Sequence, residues 1–434
     1  MGILGCVWEN VLKYYKNAEL AKLYNVSEKS VRNWIDSARQ GKLSLDLYRT
    51  GERVFIADNL HNSTQLAKLV EKGRKYRNQR SHKRLTPKRE FYETYSHAQI
   101  LDICHDLEIH RELAMKYRYF NEGGIYWDKY LVKLSDAGPG NLLTNTIEAL
   151  DLSLPYLDAL TQPFKYVNIV NICVGNSAAL KKVVSHFHSK KSLKRFVAID
   201  LSETMLDITE KRMDDWFDSK LRTEKYLRDI GHQRFQDILG QDTFGEDASE
   251  TVNLVLFLVG PIVNFRDPNE ALRTIHDSLD KNDILITSLK RDTPESRRFF
   301  DFNVNANEGL MNAHDRYLLD LLNIDDSCFE VEQFFDEKKL VRVQQIRLKL
   351  DITLEINSGR FSKDLHLFKG EPILIWRSWH HSESSIIDRF TRAGFKLEGF
   401  TKSKDNQLML VAVKIDSDTH SSSITNPYAA PPPQ

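Results

Sequence analysis

The chain is poor in the residues that announce metal or disulfide chemistry. Of 434 residues only four are cysteine, Cys6, Cys104, Cys173 and Cys328, and no two share a CxxC spacing. Neither a zinc ribbon nor a disulfide framework is indicated. His186, His188, His380 and His381 match no closed ligand set, so no metal is expected. No apolar run is long enough to span a membrane. The first residues lack the basic-then-apolar order of a secretion signal, and a cytoplasmic location is expected. Charge of one sign is missing as well: 61 Lys and Arg balance 61 Asp and Glu, so the whole molecule advertises no polyanion partner. A glycine-rich phosphate loop is also absent. A dinucleotide site wants three glycines to lay a pyrophosphate against a helix N-terminus, and Gly175 stands alone.

Around Gly175 lies the densest chemistry. Val167 to Cys173 is an apolar run that reads as a buried parallel strand. Gly175, Asn176 and Ser177 make a tight turn, and Ala178 to His188 has helical periodicity. A second run, Phe196 to Ile199, ends on Asp200 and Leu201. Strand, glycine turn, helix, strand, acid is the order that seats an adenosine across parallel strand ends. The glycine lets the backbone approach the ligand, and the acid takes two ribose hydroxyls. Each such charge-assisted bond contributes roughly 1.5–3 kcal/mol. S-adenosylmethionine has no phosphate and tolerates a one-glycine loop. Asp237 and Ile238, after the short segment Arg234–Gln236, stand where adenine is expected. Asn253 to Gly260, with Val259, reads as a buried strand entering Gly260–Phe265. A helix with Ala271, Leu272 and Ile275 and a strand Asp283–Ser288 complete a doubly wound sheet.

The motifs NICVGNSAAL, FVAIDLSETML, LVLFLVGPIVNF and GEPILIWRSWHH follow in that order. An insertion from Asp292 to Cys328 carries NANEGLMNAHDRYLLDLLNID, and the last hairpin is RAGFKLEGFTKSKDNQLMLVAVK. From about Leu143 to Lys414 the chain resembles the histidine-specific S-adenosylmethionine methyltransferase domain of the ergothioneine-pathway type. The resemblance implies a Rossmann-like, doubly wound class I α/β domain that moves a methyl group from S-adenosylmethionine to an amine. It implies a cofactor site at Asn171, Cys173, Gly175, Asn176, Ser177, Asp200, Leu201, Asp237, Ile238, Val259 and Gly260. The implied acceptor site holds Tyr126, Asn264, Asp315, Trp376 and Ser378.

The departures from the family pattern are as informative. Asn171 stands where an acid grips the methionine amino group, and Cys173 where the first glycine belongs. Trp376 replaces the acid that pairs with the substrate histidine, while Ser378 is kept; His380 and His381 replace a lysine and an aromatic. Asp315 stands where asparagine is common. An aspartate facing the pocket attracts a cation and repels a free carboxylate. Free histidine is therefore not the expected acceptor; an amine or amino-acid-like group, small or on a protein side chain, is. Methyl transfer needs in-line approach within about 3–3.5 Å and a proton acceptor, not a triad. His314 and Asp315 are candidates for the proton, Asp315 and Asn264 for orientation. Tyr117 to Tyr130 is dense in aromatics around a Gly123-Gly124 turn. Tyr126 or Trp127 can line a cation pocket there; packing against the sheet is the alternative.

The organisation along the chain reads as residues 1–63, a helix-turn-helix or winged-helix domain; 64–90, a basic connector; 91–150, a helical lead-in; 151–415, the methyltransferase-like domain; and 416–434, a Ser- and Pro-rich disordered tail. Asn17 caps a short amphipathic helix, Asn25-Val26-Ser27 is a turn, and Ser27 caps a second helix from Glu28. That helix turns Val31 and Ile35 inward and exposes Lys29, Ser30, Arg32 and Asn33. The following Tyr48–Ile56, with Arg49 and Arg53, resembles the wing of a MerR-like or excisionase-like fold, a small all-α/winged-helix domain. Ten basic residues between Lys68 and Arg89, among them Arg74, Lys75 and Arg77, face one acid, Glu71. Such density suits phosphates, so duplex DNA is an expected partner, and a homodimer fits. Two readings stay open. One is a methyltransferase with a DNA-binding head. The other is a transcription regulator whose degenerate methyltransferase-like domain is a sensor or dimerisation module.

Overall fold

The computed structural model describes residues 14–51, 53–77, 82–242, 248–298, 311–359 and 361–416. It divides into two compact units, Met1–Lys83 and Arg84–Gln434.

In the first unit, helices Asn17–Leu23 and Glu28–Arg39 are joined by a turn in which Asn25 takes φ 50°. Ser27 caps the second helix, its Oγ accepting from the Ser30 N–H at 3.1 Å. Asn17, expected as a cap, is instead the first helical residue; the Glu19 carboxylate reaches back to the Lys16 N–H at 2.9 Å. Leu47–Thr50 and Arg53–Ala57 pair as an antiparallel hairpin, with Tyr14–Tyr15 as a third strand. Leu20, Val31, Ile35, Ile56 and Leu66 form the core. Lys29, Arg32, Asn33, Arg49 and Arg53 are exposed, and Ser30 is half-buried. Helix Leu60–Arg77 carries the start of the connector. The side chains of Arg74, Lys75 and Arg77, and the tail after Asp416, lie outside the described residues.

The second unit is built on seven strands: β1 (Tyr166–Ile172), β2 (Leu193–Asp200), β3 (Thr223–Leu227), β4 (Thr251–Phe257), β5 (Ile284–Lys290), β6 (Phe395–Lys402) and β7 (Leu408–Ile415). Their order is β6-β7-β5-β4-β1-β2-β3. β1 to β5 are parallel, β7 runs antiparallel to β5, and β6 returns antiparallel to β7. β1 and β5 are almost wholly buried because helices cover both faces, which is why they read as continuous apolar runs. One face packs under Leu142–Thr161, Lys181–Ser189 and Glu203–Phe217; the other under Pro268–His276 and Glu383–Arg392. Strand order reverses between β1 and β4. In open α/β sheets such a reversal opens a crevice at the carboxyl ends, where ligands bind.

A second core lies off the sheet. The lead-in supplies Phe91, Ile100, Ile103, Leu107 and Tyr117; the chain between β5 and β6 supplies Leu318, Leu319, Ile346, Leu354, Ile373 and Ile375. That insertion holds helix Ala313–Leu321, an antiparallel sheet of Phe329–Asp336, Val341–Leu348 and Pro372–Trp379, and a hairpin of Asp351–Asn357 with Ser362–Leu367. It is thus longer than the segment Asp292–Cys328 expected from the motif. The Gly123-Gly124 pair, expected as a turn, lies inside helix Glu122–Asp136. Its glycines permit close packing: a Cβ at Gly123 would stand 2.2 Å from the Arg118 carbonyl, and one at Gly124 2.6 Å from that of Tyr119.

Candidate active site

A cavity of about 420 Å³ opens at the carboxyl ends of β1 to β4, at the strand-order reversal. Small-ligand sites run about 300–1,000 Å³. From β1 and its loop come Asn171, Cys173, Gly175, Asn176 and Ser177; from β2, Asp200 and Leu201; from β4, Val259. Cys173, Gly175 and Ser177 have φ of 51°, 51° and 54°, and Val259 has 61°. Left-handed backbone at non-glycine residues stores about 1–3 kcal/mol each and gathers at ligand sites. The first-glycine position of the motif is therefore a left-handed position that Cys173 fills under strain.

The loop is fixed by side chains on two helices, Glu122–Asp136 and Glu203–Phe217. Asn171 Nδ2 donates to Ser177 Oγ at 3.0 Å, and Ser177 Oγ is 3.0 Å from Thr209 Oγ1. Asn176 Nδ2 donates to Asp128 Oδ1 at 2.8 Å, and Arg212 pairs with the same carboxylate at 2.9 Å. The Trp127 indole Nε1 would lie 3.6 Å from a Cβ on Gly175.

Asp200 is buried at the tip of β2 and takes the Ser202 N–H at 2.9 Å. Burial pushes its carboxyl up to about 7, against the pull of the Ser202, Leu201 and Val174 N–H groups. The Cys173 thiol is likewise pushed up by burial. Gly260 and the pair Asp237 and Ile238 do not line the cavity. Asp237 sits in the short helix Gln236–Leu239 and pairs with Arg228 at 3.1 Å. The strand that precedes this region is Thr223–Leu227, so the strand-end position falls on Asp229 and Ile230, which do line the cavity.

The facing wall comes from the lead-in: Glu112, Lys116, Tyr119 and Trp127. Of the two aromatics expected here, Trp127 lines the cavity and Tyr126 packs on Tyr317 instead; Glu112, Lys116 and Tyr119 carry no sequence signal that marks them. Behind Tyr119 lies His314, ring centroids 4.9 Å apart, with Trp127 at 5.0 Å. His314 Nδ1 lies 3.0 Å from the Gly123 carbonyl, so that nitrogen carries the proton and Nε2 is bare. Burial, with the nearby Arg118 charge, holds the ring down to about 3, hence neutral. Asp315 does not reach the cavity: its cation is Arg118, in a buried ion pair, and Arg118 also donates to the Ile375 carbonyl at 2.9 Å. Trp376 and Ser378 are buried on strand Pro372–Trp379, opposite Gln344 and Arg342, and do not line the cavity. Asn264 does. Trp379 Nε1 donates to the Phe265 carbonyl at 3.1 Å, tying that strand to the Asn264 loop.

A parallel sheet with a reversal at β1/β4, a strained loop after β1 and a buried acid ending β2 define a nucleoside-binding α/β domain. Residues 155–415, over half of the chain, match the family described as histidine-specific methyltransferase, SAM-dependent, and the chain belongs to that family. It is a methyltransferase by family, and its cofactor is S-adenosylmethionine. The lining suits that group: a buried carboxylate for hydroxyls, close backbone at Gly175, and adequate volume. The structure is similar to an S-adenosylmethionine-dependent methyltransferase from Clostridium acetobutylicum (10% identity, TM-score 0.30, 74% of this chain and 99% of that one). It is also similar to magnesium protoporphyrin IX methyltransferase from Synechocystis (11%, 0.34, 69% and 97%) and to a methyltransferase from Anabaena variabilis (12%, 0.35, 67% and 94%). Among curated proteins none matches the chain significantly. Among the described residues, no helix is long and apolar enough to cross a membrane.

Proposed function

We propose that the chain methylates an amine nitrogen on an acceptor other than free histidine. The observation that carries this is the buried Asp200 carboxylate beside the Gly175 loop, in a cavity lined by seven carboxylates and three cationic side chains. In this reading Asp200 accepts from the ribose hydroxyls, and Asp229 with Ile230 flanks the adenine. Asn171, Cys173 and the Gly175–Ser177 loop border the methionine part. The cofactor, when bound, supplies a methyl group already activated on a sulfonium. The chain's residues orient the partner and exclude water: Tyr119 and Trp127 close the side facing the loop, and Asn264 orients the acceptor. An ammonium acceptor must lose its proton before attack. His314 and Asp315 stand off the cavity wall, so a wall carboxylate receives it.

Titration of the full chain with S-adenosylmethionine tests the cofactor site, and binding is expected. Mass spectrometry of histidine incubated with protein and cofactor is expected to show no trimethyl product; its efficient appearance would overturn the acceptor reading. A second reading, a regulator without turnover, is favoured by Asn171, which is uncharged and donates within its own loop. Absence of cofactor binding would support it.

For the first unit we infer duplex DNA binding. Arg32 and Asn33, exposed on helix Glu28–Arg39 behind the Ser27 cap, support it, with Arg49 and Arg53 on the hairpin. An arginine on guanine discriminates by about 1–3 kcal/mol. Arg32→Ala in the full chain should relax sequence preference more than non-specific affinity. A mobility-shift titration at two salt concentrations reads this; no shift at low salt would make the helix pair a protein-docking module.

A further inference from the structure

The cavity wall contains three cationic side chains, and each is held by carboxylates of the protein itself. Lys116 Nζ lies 3.0 Å from Asp229 and 3.9 Å from Asp102. Arg228 pairs with Asp237 at 3.1 Å. Arg266 spans two acids, Asp106 at 2.7 Å and Glu112 at 2.9 Å. Glu112 takes a second guanidinium, Arg377, from the insertion. Of the remaining wall acids, Asp200 is held by backbone N–H groups, Asp267 caps helix Pro268–His276 through the Asn269 N–H at 2.8 Å with Arg389 nearby, and Glu270 has only the exposed His232 ring at 3.5 Å. The wall therefore presents surplus negative charge, and its cations are committed.

From this we infer that the acceptor is a cationic amine that carries no free carboxylate beside the nitrogen. The inference rests on the methyltransferase reading above and narrows its acceptor class. The cofactor's own carboxylate belongs with its methionine part at the Asn171–Ser177 loop; a second carboxylate at the acceptor end, beside Asn264, meets Asp106, Glu112, Asp267 and Glu270, and gains Arg266 only by breaking its pairs and stranding an acid. An ammonium group meets the opposite: wall carboxylates attract it, and Tyr119 and Trp127 line the same cavity. Such an amine is either a small decarboxylated amine or one on a peptide chain, whose carboxyl is masked as an amide. Both share the chemistry of a positive nitrogen without a neighbouring anion.

Calorimetric titration of the full chain, saturated with S-adenosylhomocysteine, tests this with matched sets: histidine, histidinamide and histamine; tryptophan, tryptophanamide and tryptamine; lysine, lysinamide and cadaverine. In at least one set the carboxylate-free members should bind tenfold or more tighter than the parent amino acid. Tight binding of the amide points to a chain-borne amine, and tight binding of the decarboxylated amine alone to a small one. Asp106→Asn releases Arg266, two residues from Asn264, from one of its two carboxylates and should cut the preference at least threefold, which a purely structural pair would not do. Amino acids binding as well as their amines, or no member binding while S-adenosylhomocysteine does, overturns the inference alone. If S-adenosylhomocysteine fails to bind, the cofactor reading falls, and this inference with it.

Discussion

The two walls of the cavity are made in different ways. The wall on the sheet is backbone: strand ends, a left-handed loop, and N–H groups converging on Asp200. The facing wall is side chain: Glu112 between Arg266 and Arg377, Lys116 against Asp229, and behind them Arg118 against Asp315. A wall of strand ends is held by the whole sheet and tolerates exchange of most side chains. A wall of ion pairs depends on its members, most of all at the buried Arg118–Asp315 pair, where losing one strands a charge. The sheet wall is thus the robust half of the site and the facing wall the breakable half.

Arg118→Leu should break that contrast most sharply. It leaves Asp315 buried without its cation, and should destabilise the second unit by about 3–5 kcal/mol. Denaturant unfolding measures this, and the double variant Arg118→Leu/Asp315→Leu should recover most of the loss. A loss under about 1 kcal/mol in the single variant would show that the facing wall does not lean on this pair. Asp200→Ala comes next. It should leave folding nearly unchanged while costing about 2–3 kcal/mol of S-adenosylmethionine affinity. Unchanged affinity would remove Asp200 from the cofactor site. The wild type sharpens the same point through pH. An acid raised to about 7 is mostly protonated at pH 6, and only the carboxylate accepts from both hydroxyls. Affinity should therefore rise from pH 6 to pH 8, by at most about tenfold per unit below 7, read by titration at several pH values. Asp200→Asn should flatten that profile. Cys173→Gly is the smallest test. Relief of left-handed strain is about 1–2 kcal/mol, and glycine's unfolded-state entropy returns about 0.5–1 kcal/mol. A net gain between about 0 and 1.5 kcal/mol in stability is expected from thermal unfolding. A loss would mean that packing of the thiol, not the backbone, holds the loop.

The same contrast decides what was legible in the chain. β1, β2 and β4 read correctly because burial on both faces leaves a continuous apolar signature, and Asp200 reads because it ends such a run. β3 is the edge strand and only alternately buried, so its sequence, TEKYL, carries no such mark. Without that mark the adenine position reads as Asp237, after the short segment Arg234–Gln236, and not as Asp229. Gly123 and Gly124 read as a turn because a glycine pair gives the same signal whether it bends the chain or lets two segments touch. The partner of Asp315 is 197 residues away, and no local pattern carries that pairing. Asp315, Trp376 and Ser378 were placed by motif, and burial behind the wall is invisible to a motif.

Phe91 and Ile103 share a core with Ile346 and Ile373. During synthesis the lead-in therefore leaves the ribosome well before its packing partners exist. At roughly 5–20 residues per second, that delay is on the order of ten seconds or more. Through that interval β1 to β5 arrive in sequence and can pair with near neighbours, while the lead-in's apolar face waits in water. The segment that closes the cavity is thus the first of this unit to be made, long before the insertion it packs against.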